Sequence, residues 1–255
     1  MREKGLSSNT VYKHHILLHT ALKMAHRQKL LPENPIDLVE APHQQLPSQS
    51  YYNPKQLNKL FRAVEGDWLE IVVKLAGYLG LRRSEICGLR WEDVDLENGV
   101  IQIQCVRTTA GGKVVEKQPK SESSIRKLGI AGISDLVDLL REERFNQLQQ
   151  KKQLGKAYWD SGYVVVKKDG SPCQPNQVTN IFRQFIQLHG LPHITIHGLR
   201  HTFASVANSA KVPLVDIGKA LGHKDITITG RIYTHLFDQT HQEVLNMVAS
   251  RICIE

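Results

Sequence analysis

The sequence predicts a mainly α-helical fold with a small antiparallel β-sheet, an α+β class. Three observations carry that prediction. Apolar residues recur at helical spacing through most of the 255 residues, polar–apolar alternation is confined to a stretch beginning at Val100, and Gly111-Gly112 breaks that stretch with a turn. Hydrophobic residues at 41% and charged residues at 23% are ordinary for a globular chain and exclude wholesale disorder.

The first helix opens after Ser7-Ser8, which suits an N-cap, and carries Val11, Leu18, Leu22 and Ala25 on one face, with Pro32 just past its end. One amphipathic helix cannot bury its stripe alone, so it reads as the tail of a larger helical domain. Residues 41–50, with Pro42 and Pro47 among Gln and Ser, have linker composition. Asn53-Pro54 then gives an N-cap followed by proline at the first helical position, with Leu57, Leu60, Phe61 and Val64 in register and Gly66 as the stop. Asp67 is placed to cap a further helix with an inward face of Leu69, Val72, Val73 and Ala76, ended by Gly80, and a short helix is expected over 84–89.

Alternation over 100–106 (Ile101, Ile103, Cys105) predicts a strand, Val114-Val115 starts a second after the glycine turn, and 124–130 reads as a third in the same sheet. Leu136, Leu139 and Leu140 mark a helix; 163–166 reads as a brief strand closed by Asp169-Gly170; Val178, Ile181, Phe182, Phe185 and Ile186 form another helical stripe. Short helices over 199–207, 214–221 and 244–248 complete the chain, which divides into 1–44, a linker at 45–52, and 53–255.

Lys and Arg number 33 against 25 Asp and Glu, a formal charge of +8, and the sequence pI is near 9.3. That is the electrostatic footprint of a nucleic-acid partner, although a basic, solvated surface has the same composition. No apolar run approaches the roughly 18 residues of a membrane span, and Met1-Arg2-Glu3-Lys4 is no secretory signal. Cys87, Cys105, Cys173 and Cys253 lack CxxC pairing, which argues against a disulfide framework or cysteine-rich zinc module and fits a cytoplasmic location.

Four segments stand out for chemistry: Gly80-Leu81-Arg82-Arg83-Ser84-Glu85; Pro119-Lys120-Ser121-Glu122-Ser123-Ser124-Ile125-Arg126; His197-Gly198-Leu199-Arg200-His201-Thr202; and Leu221-Gly222-His223 leading to Tyr233-Thr234-His235. Singly each is weak, because a lone Arg or Lys is ordinarily solvated and a Tyr in an apolar helix is ordinarily core. Together they suit one phosphodiester site. Two arginine forks match the non-bridging oxygens of a phosphate under attack, and a unit pair at 4 Å contributes roughly 4 kcal/mol at an effective dielectric of 20. Tyr233 would be the nucleophile, needing cationic surroundings because its reference pKa is about 10. A lysine on a hairpin tip suits the acid that protonates the leaving 5′-oxygen, and His197 and His223 suit phosphate contact or proton transfer.

These segments resemble the characteristic boxes of the tyrosine recombinase (phage integrase) family, whose members cut and rejoin DNA through a 3′-phosphotyrosyl link. Gly80-Leu81-Arg82, Ser84-Glu85 and Gly88-Leu89-Arg90-Trp91 resemble the first-arginine box, which assigns Arg82 as catalytic and Glu85 as its acidic support. The family's hairpin lysine falls on Lys120, followed here by Ser rather than the commoner Thr, with Lys113 and Lys117 near enough to compete. His197 and Arg200 match His-x-x-Arg, Leu-Gly-His puts the third basic position on His223, and Ile-Tyr-Thr-His puts the nucleophile on Tyr233. Residues 5–43 resemble only the C-terminal half of the family's helical core-binding domain, so its earlier helices and any arm-type domain are expected to be missing. The resemblance implies double-stranded DNA as partner, two successive transesterifications per strand, no metal and no cofactor. It also implies a homotetramer on DNA, with a C-terminal apolar face (Leu236, Val244, Met247, Val248) exchanged in trans and a monomer when free.

Two other readings compete. His197 and His201, like His15 and His19, stand four apart as zinc ligands on a helix can, but the Glu of His-Glu-x-x-His is missing and no third ligand is evident. A DNA-binding module without chemistry is the other; the presence of all six catalytic residue types argues against it.

Overall fold

The computed structural model describes residues 5–43, 50–118 and 124–223. The linker at 45–52 is therefore described only from Ser50, and Lys120, Tyr233, Cys253 and the expected helix at 244–248 lie outside the described residues. Two compact units emerge, Met1–Gln49 and Ser50–Glu255.

In the first unit, α1 (Ser8–Arg27) starts where expected: the Ser7 side chain accepts from Thr10 N, and Asn34 then caps a 3₁₀ turn at Pro35–Leu38. His19 Nε2 lies 2.8 Å from Asp37 Oδ1. No residue of α1 is buried, and Leu17 and Met24 are open to solvent.

The second unit is built on α3 (Leu69–Leu79), which is buried on almost every side and packs most extensively against α7 (Ile196–Ser209). Ahead of it, α2 (Pro54–Ala63) begins with a capping box in which Asn53 and Gln56 bond each other's backbone N–H. The N-cap of α3 is Trp68, not the expected Asp67, and has no side-chain cap bond; Asp67, one residue earlier, accepts from Leu69 N through Oδ1 at 2.7 Å, and Gly80 ends the helix in the left-handed conformation. A very short α4 (Arg83–Ile86), then α5 (Ser134–Leu154), α6 (Pro175–Leu188), α7 and α8 (Leu214–Leu221) complete the helices among the described residues. The apolar stripe of α6 faces the common core through Val178, Phe182, Phe185 and Ile186.

Three further expectations need correction. The strand expected over 100–106 is two strands, β2 (Val100–Ile103) and β3 (Val106–Ala110), in different sheets. The chain bends where the Gly88 backbone presses on it: a Cβ at Gly88 would lie 2.7 Å from Cys105 O and 2.9 Å from Val106 Cα. Hence β1 (Val94–Asp95), β2 and β5 (Arg126–Gly129) form one antiparallel sheet, while β3 and β4 (Lys113–Lys117) form a separate hairpin across Gly111-Gly112. Both turn glycines have positive φ, as the tight turn requires. Residues 163–166, expected as a strand, are buried but, among the described residues, pair only through isolated bridges, Arg90 with Tyr163 and Val166 with Pro172. A longer ladder cannot form because the chain turns into a 3₁₀ helix at Trp91–Asp93. Likewise the helix expected over 84–89 spans only Arg83–Ile86.

Candidate active site

Five of the seven residues singled out fall among the described residues, and they converge. Arg82 precedes α4; Glu85 lies within it; His197 and Arg200 lie on α7; His223 follows the last turn of α8. Gly80 is what lets these elements meet. Its φ is +62°, and a Cβ there would lie 2.6 Å from Leu221 Cδ2 and 2.8 Å from Phe203 Cδ1.

Glu85 is the hub. Its side chain is 2% exposed, and Arg82 donates to it twice, from Nη1 to Oε1 at 2.7 Å and from the backbone N to Oε2 at 2.9 Å. Arg126 donates from Nη1 to Oε1 at 3.3 Å and from Nη2 to Oε2 at 3.1 Å, and Arg200 Nη1 stands 4.0 Å from Oε2. Burial alone would push this carboxyl up, but the hydrogen bonds and charge of Arg126, then of Arg82, hold it below the usual range. Among the described residues three guanidiniums face this one carboxylate, which leaves these four groups a net charge of +2.

The arginines differ in access. Arg82 has a third of its side chain exposed. Arg200 is only 2% exposed, with Nη1 turned to Gly80 O at 2.8 Å and Nη2 to Leu221 O at 2.7 Å. It contributes charge from beneath the site while tying α7 to the ends of α3 and α8.

The imidazoles are held neutral. Burial, with the charges of Arg200, Arg82 and Arg126, pushes His223 down to about 4. His201 is also pushed down to about 4, by burial, His197 and Arg200. Partial desolvation, then Arg200 and Arg82, lowers His197. The His197 and His201 rings meet edge-on with centroids 4.6 Å apart. Among the described residues no group of three His, Cys, Asp or Glu is placed to hold a metal ion.

Lys120 and Tyr233 lie outside the described residues. Of the competing lysines, Lys113 sits at the hairpin turn opposite Ala110. Lys117 instead lines a groove of about 500 Å³ between α4 and the hairpin, shared with Arg82, Ser84, Glu85, Thr108 and Ser124.

Sequence reasoning missed two features. Arg126 sits inside the 119–126 segment, but nothing local in the sequence shows that its side chain reaches Glu85 and α8. The second is an anchor for the hairpin: Glu116 accepts from Tyr163 Oη at 2.5 Å and from Arg90 Nη2 at 2.6 Å. The Arg90 and Arg107 guanidiniums lie 4.8 and 4.6 Å from the centroid of the Tyr163 ring. The Tyr163 and Arg90 hydrogen bonds outweigh partial burial and hold Glu116 down at about 2.

Comparison with known proteins places this arrangement. The chain is 28% identical to the tyrosine recombinase XerC-like protein of Caldanaerobacter subterraneus subsp. tengcongensis, over 92% of this chain and 64% of that protein. It is 25% identical to the ICEBs1 integrase of Bacillus subtilis, over 96% of this chain and 66% of that protein. It thus spans just under two thirds of the length of these curated relatives. Its fold matches that of the Tn1549 transposon integrase solved with a circular intermediate DNA, with a TM-score of 0.80, 24% identity, and coverage of 97% of this chain and 82% of that one. The XerA recombinase is more distant in shape, with a TM-score of 0.60 at 24% identity over 96% of this chain and 78% of that one. The sequence model of the phage integrase family matches residues 51–240, most of the length, and this chain belongs to that family, the tyrosine recombinases.

Proposed function

We infer that this chain is the catalytic portion of a site-specific DNA recombinase that integrates, excises or resolves mobile DNA. The observation that carries the reading is the convergence of Arg82, Arg126 and Arg200 on the single carboxylate of Glu85, with the neutral imidazoles His197 and His223 beside them. A net positive, partly desolvated pocket of this kind favours a phosphodiester whose charge grows during attack.

In the proposed reaction the Tyr233 oxygen attacks the scissile phosphate in line. A bond forms from oxygen to phosphorus, the bond to the 5′-oxygen breaks, and Lys120 supplies the proton that the departing alkoxide needs. The phenolic proton passes to a neutral imidazole, helped by the surrounding guanidiniums, each of which favours the phenolate. Arg82, the more exposed fork, takes the non-bridging oxygens, while Arg200 acts electrostatically from below. A 5′-hydroxyl from a partner strand reverses these steps and releases the tyrosine, so phosphodiester bond energy is retained in the intermediate. Double-stranded DNA is the partner, a homotetramer on DNA the working assembly, and the cytoplasm the location; among the described residues no helix is long and apolar enough to cross a membrane.

A nicked suicide substrate carrying the attachment site tests this reading. The chain should become covalently joined to the 3′ end, and Tyr233→Phe should abolish the adduct. An adduct that persists in Tyr233→Phe, or no adduct on the attachment site identified from the flanks of the gene's own element, refutes it.

A further inference from the structure

The last turn of α8 ends in three consecutive carbonyls, each taking an N–H from a different arginine. Arg126 Nε donates to Ala220 O at 2.7 Å, Arg200 Nη2 to Leu221 O at 2.7 Å, and Arg82 Nη2 to Gly222 O at 3.4 Å. Such carbonyls have no partner within the helix and carry the negative end of its dipole, so three cations fix where the helix stops. His223 is the next residue.

Arg82 and Arg200 already have roles in the proposed reaction; Arg126 does not. Its side chain is 7% exposed, and it joins three elements at once. From β5 it reaches both oxygens of Glu85 in α4, the Ala220 carbonyl in α8, and Ser124 O at 3.2 Å just ahead of its own strand. Each oxygen of Glu85 therefore holds one N–H from Arg82 and one from Arg126. Stability is a poor reason for such a group, since a buried ion pair exchanged for packed apolar residues is often neutral or stabilising.

We propose that Arg126 is a positioning residue: it fixes the Glu85 carboxylate so that Arg82 faces the groove, and fixes the end of α8 so that His223 stands beside Arg82. This role rests on the function proposed above. Lysine cannot replace arginine here, because one ammonium cannot span the two oxygens of Glu85 and the carbonyls of residues 124 and 220. Arg126 is also the first residue of β5, so its guanidinium ties that strand to α4 and α8 at once.

The test compares Arg126→Lys and Arg126→Met with the parent chain. First-turnover covalent adduct formation on the attachment site should fall about 10- to 100-fold in both, the range for sub-ångström to 1 Å misplacement. Affinity for a random-sequence duplex and its salt slope should not change, because a buried arginine neutralises no phosphate. Independently of DNA, NMR titration of Arg126→Met should move His223 upward alone. His223 also faces Arg82, Arg200 and His201, which remain, whereas Arg126 is not among the charges acting on His197 or His201.

Parent-like adduct rates in both variants would overturn the proposal. So would an unmoved His223, or three histidines shifting together toward the ordinary value, which is the mark of a merely structural loss. If Arg126→Met does not fold, the Arg126→Lys rate and duplex affinity decide. Were the parent chain itself to form no adduct, the function would fail while the His223 titration still judged the positioning.

Discussion

Replacing Glu85 by glutamine removes one charge and almost no volume from a carboxylate that is 2% exposed. Arg82, Arg126 and Arg200 stand 2.7, 3.1 and 4.0 Å from its oxygens. At an effective dielectric of 20, these pairs contribute about 6, 5 and 4 kcal/mol of gross attraction. Most of that is offset by the cost of burying the carboxylate, so the measurable effect is smaller. Glutamine nonetheless leaves three guanidiniums facing one another, with an amide N–H₂ turned toward at least one of them. Breaking a buried pair in this way costs about 3–5 kcal/mol. For a unit of this size, 1 kcal/mol corresponds to about 2–4 °C, so Tm at pH 7 should fall by about 6–20 °C. The assay is thermal unfolding followed by circular dichroism, with and without sulfate. Sulfate should stabilise Glu85→Gln more than the parent, because a divalent anion replaces the missing charge. A variant within about 1 kcal/mol of the parent, or one indifferent to sulfate, would refute the idea that Glu85 neutralises this cluster.

Three further outcomes are expected. Gly80→Ala, at φ +62° and with its Cβ directed at Leu221 and Phe203, should lose about 2–5 kcal/mol from left-handed strain and overpacking; equal urea midpoints for variant and parent would contradict it. Stability should fall as pH drops from about 6.5 toward 4, the interval between the ordinary histidine value and that of His201 and His223. The sign follows because the unfolded state takes up protons that the folded state refuses, so the contribution is complete above 6.5 and lost through 4. The lowered carboxyl of Glu85 adds a loss in the same direction below its ordinary value, and a Tm constant across this window would exclude buried neutral imidazoles. Finally, Tyr163→Phe should let Glu116 titrate well above about 2, since the Tyr163 hydroxyl is the leading cause of its depression. NMR of the Glu116 carboxyl reads this directly, and an unmoved titration would deny the hairpin anchor.

The helices were legible because their determinants are local. Asn53-Pro54 with Gln56, Asp67 before Leu69, and Gly80 after Leu79 each act within one turn, and the stripes of α2 and α6 follow from periodicity alone. The spacing of Arg82, Glu85, His197, Arg200 and His223 was equally readable as a set. The break between β2 and β3 was not, since it depends on Gly88, distant in sequence, pressing its backbone against Cys105 and Val106. Nor were the partners of Arg126: alternation places it on a strand, but Glu85 lies 41 residues earlier and Ala220 lies 94 residues later.

By itself, then, the order of residues determined which segments would become helices and which side-chain types were available for phosphate chemistry. Only the tertiary structure decided that Arg200 would lie beneath the surface, that Glu85 would hold three cations, and that a third arginine would join the end of α8. Caps and periodicity act over a few residues, whereas charge pairing in a buried pocket is set by which distant elements pack together.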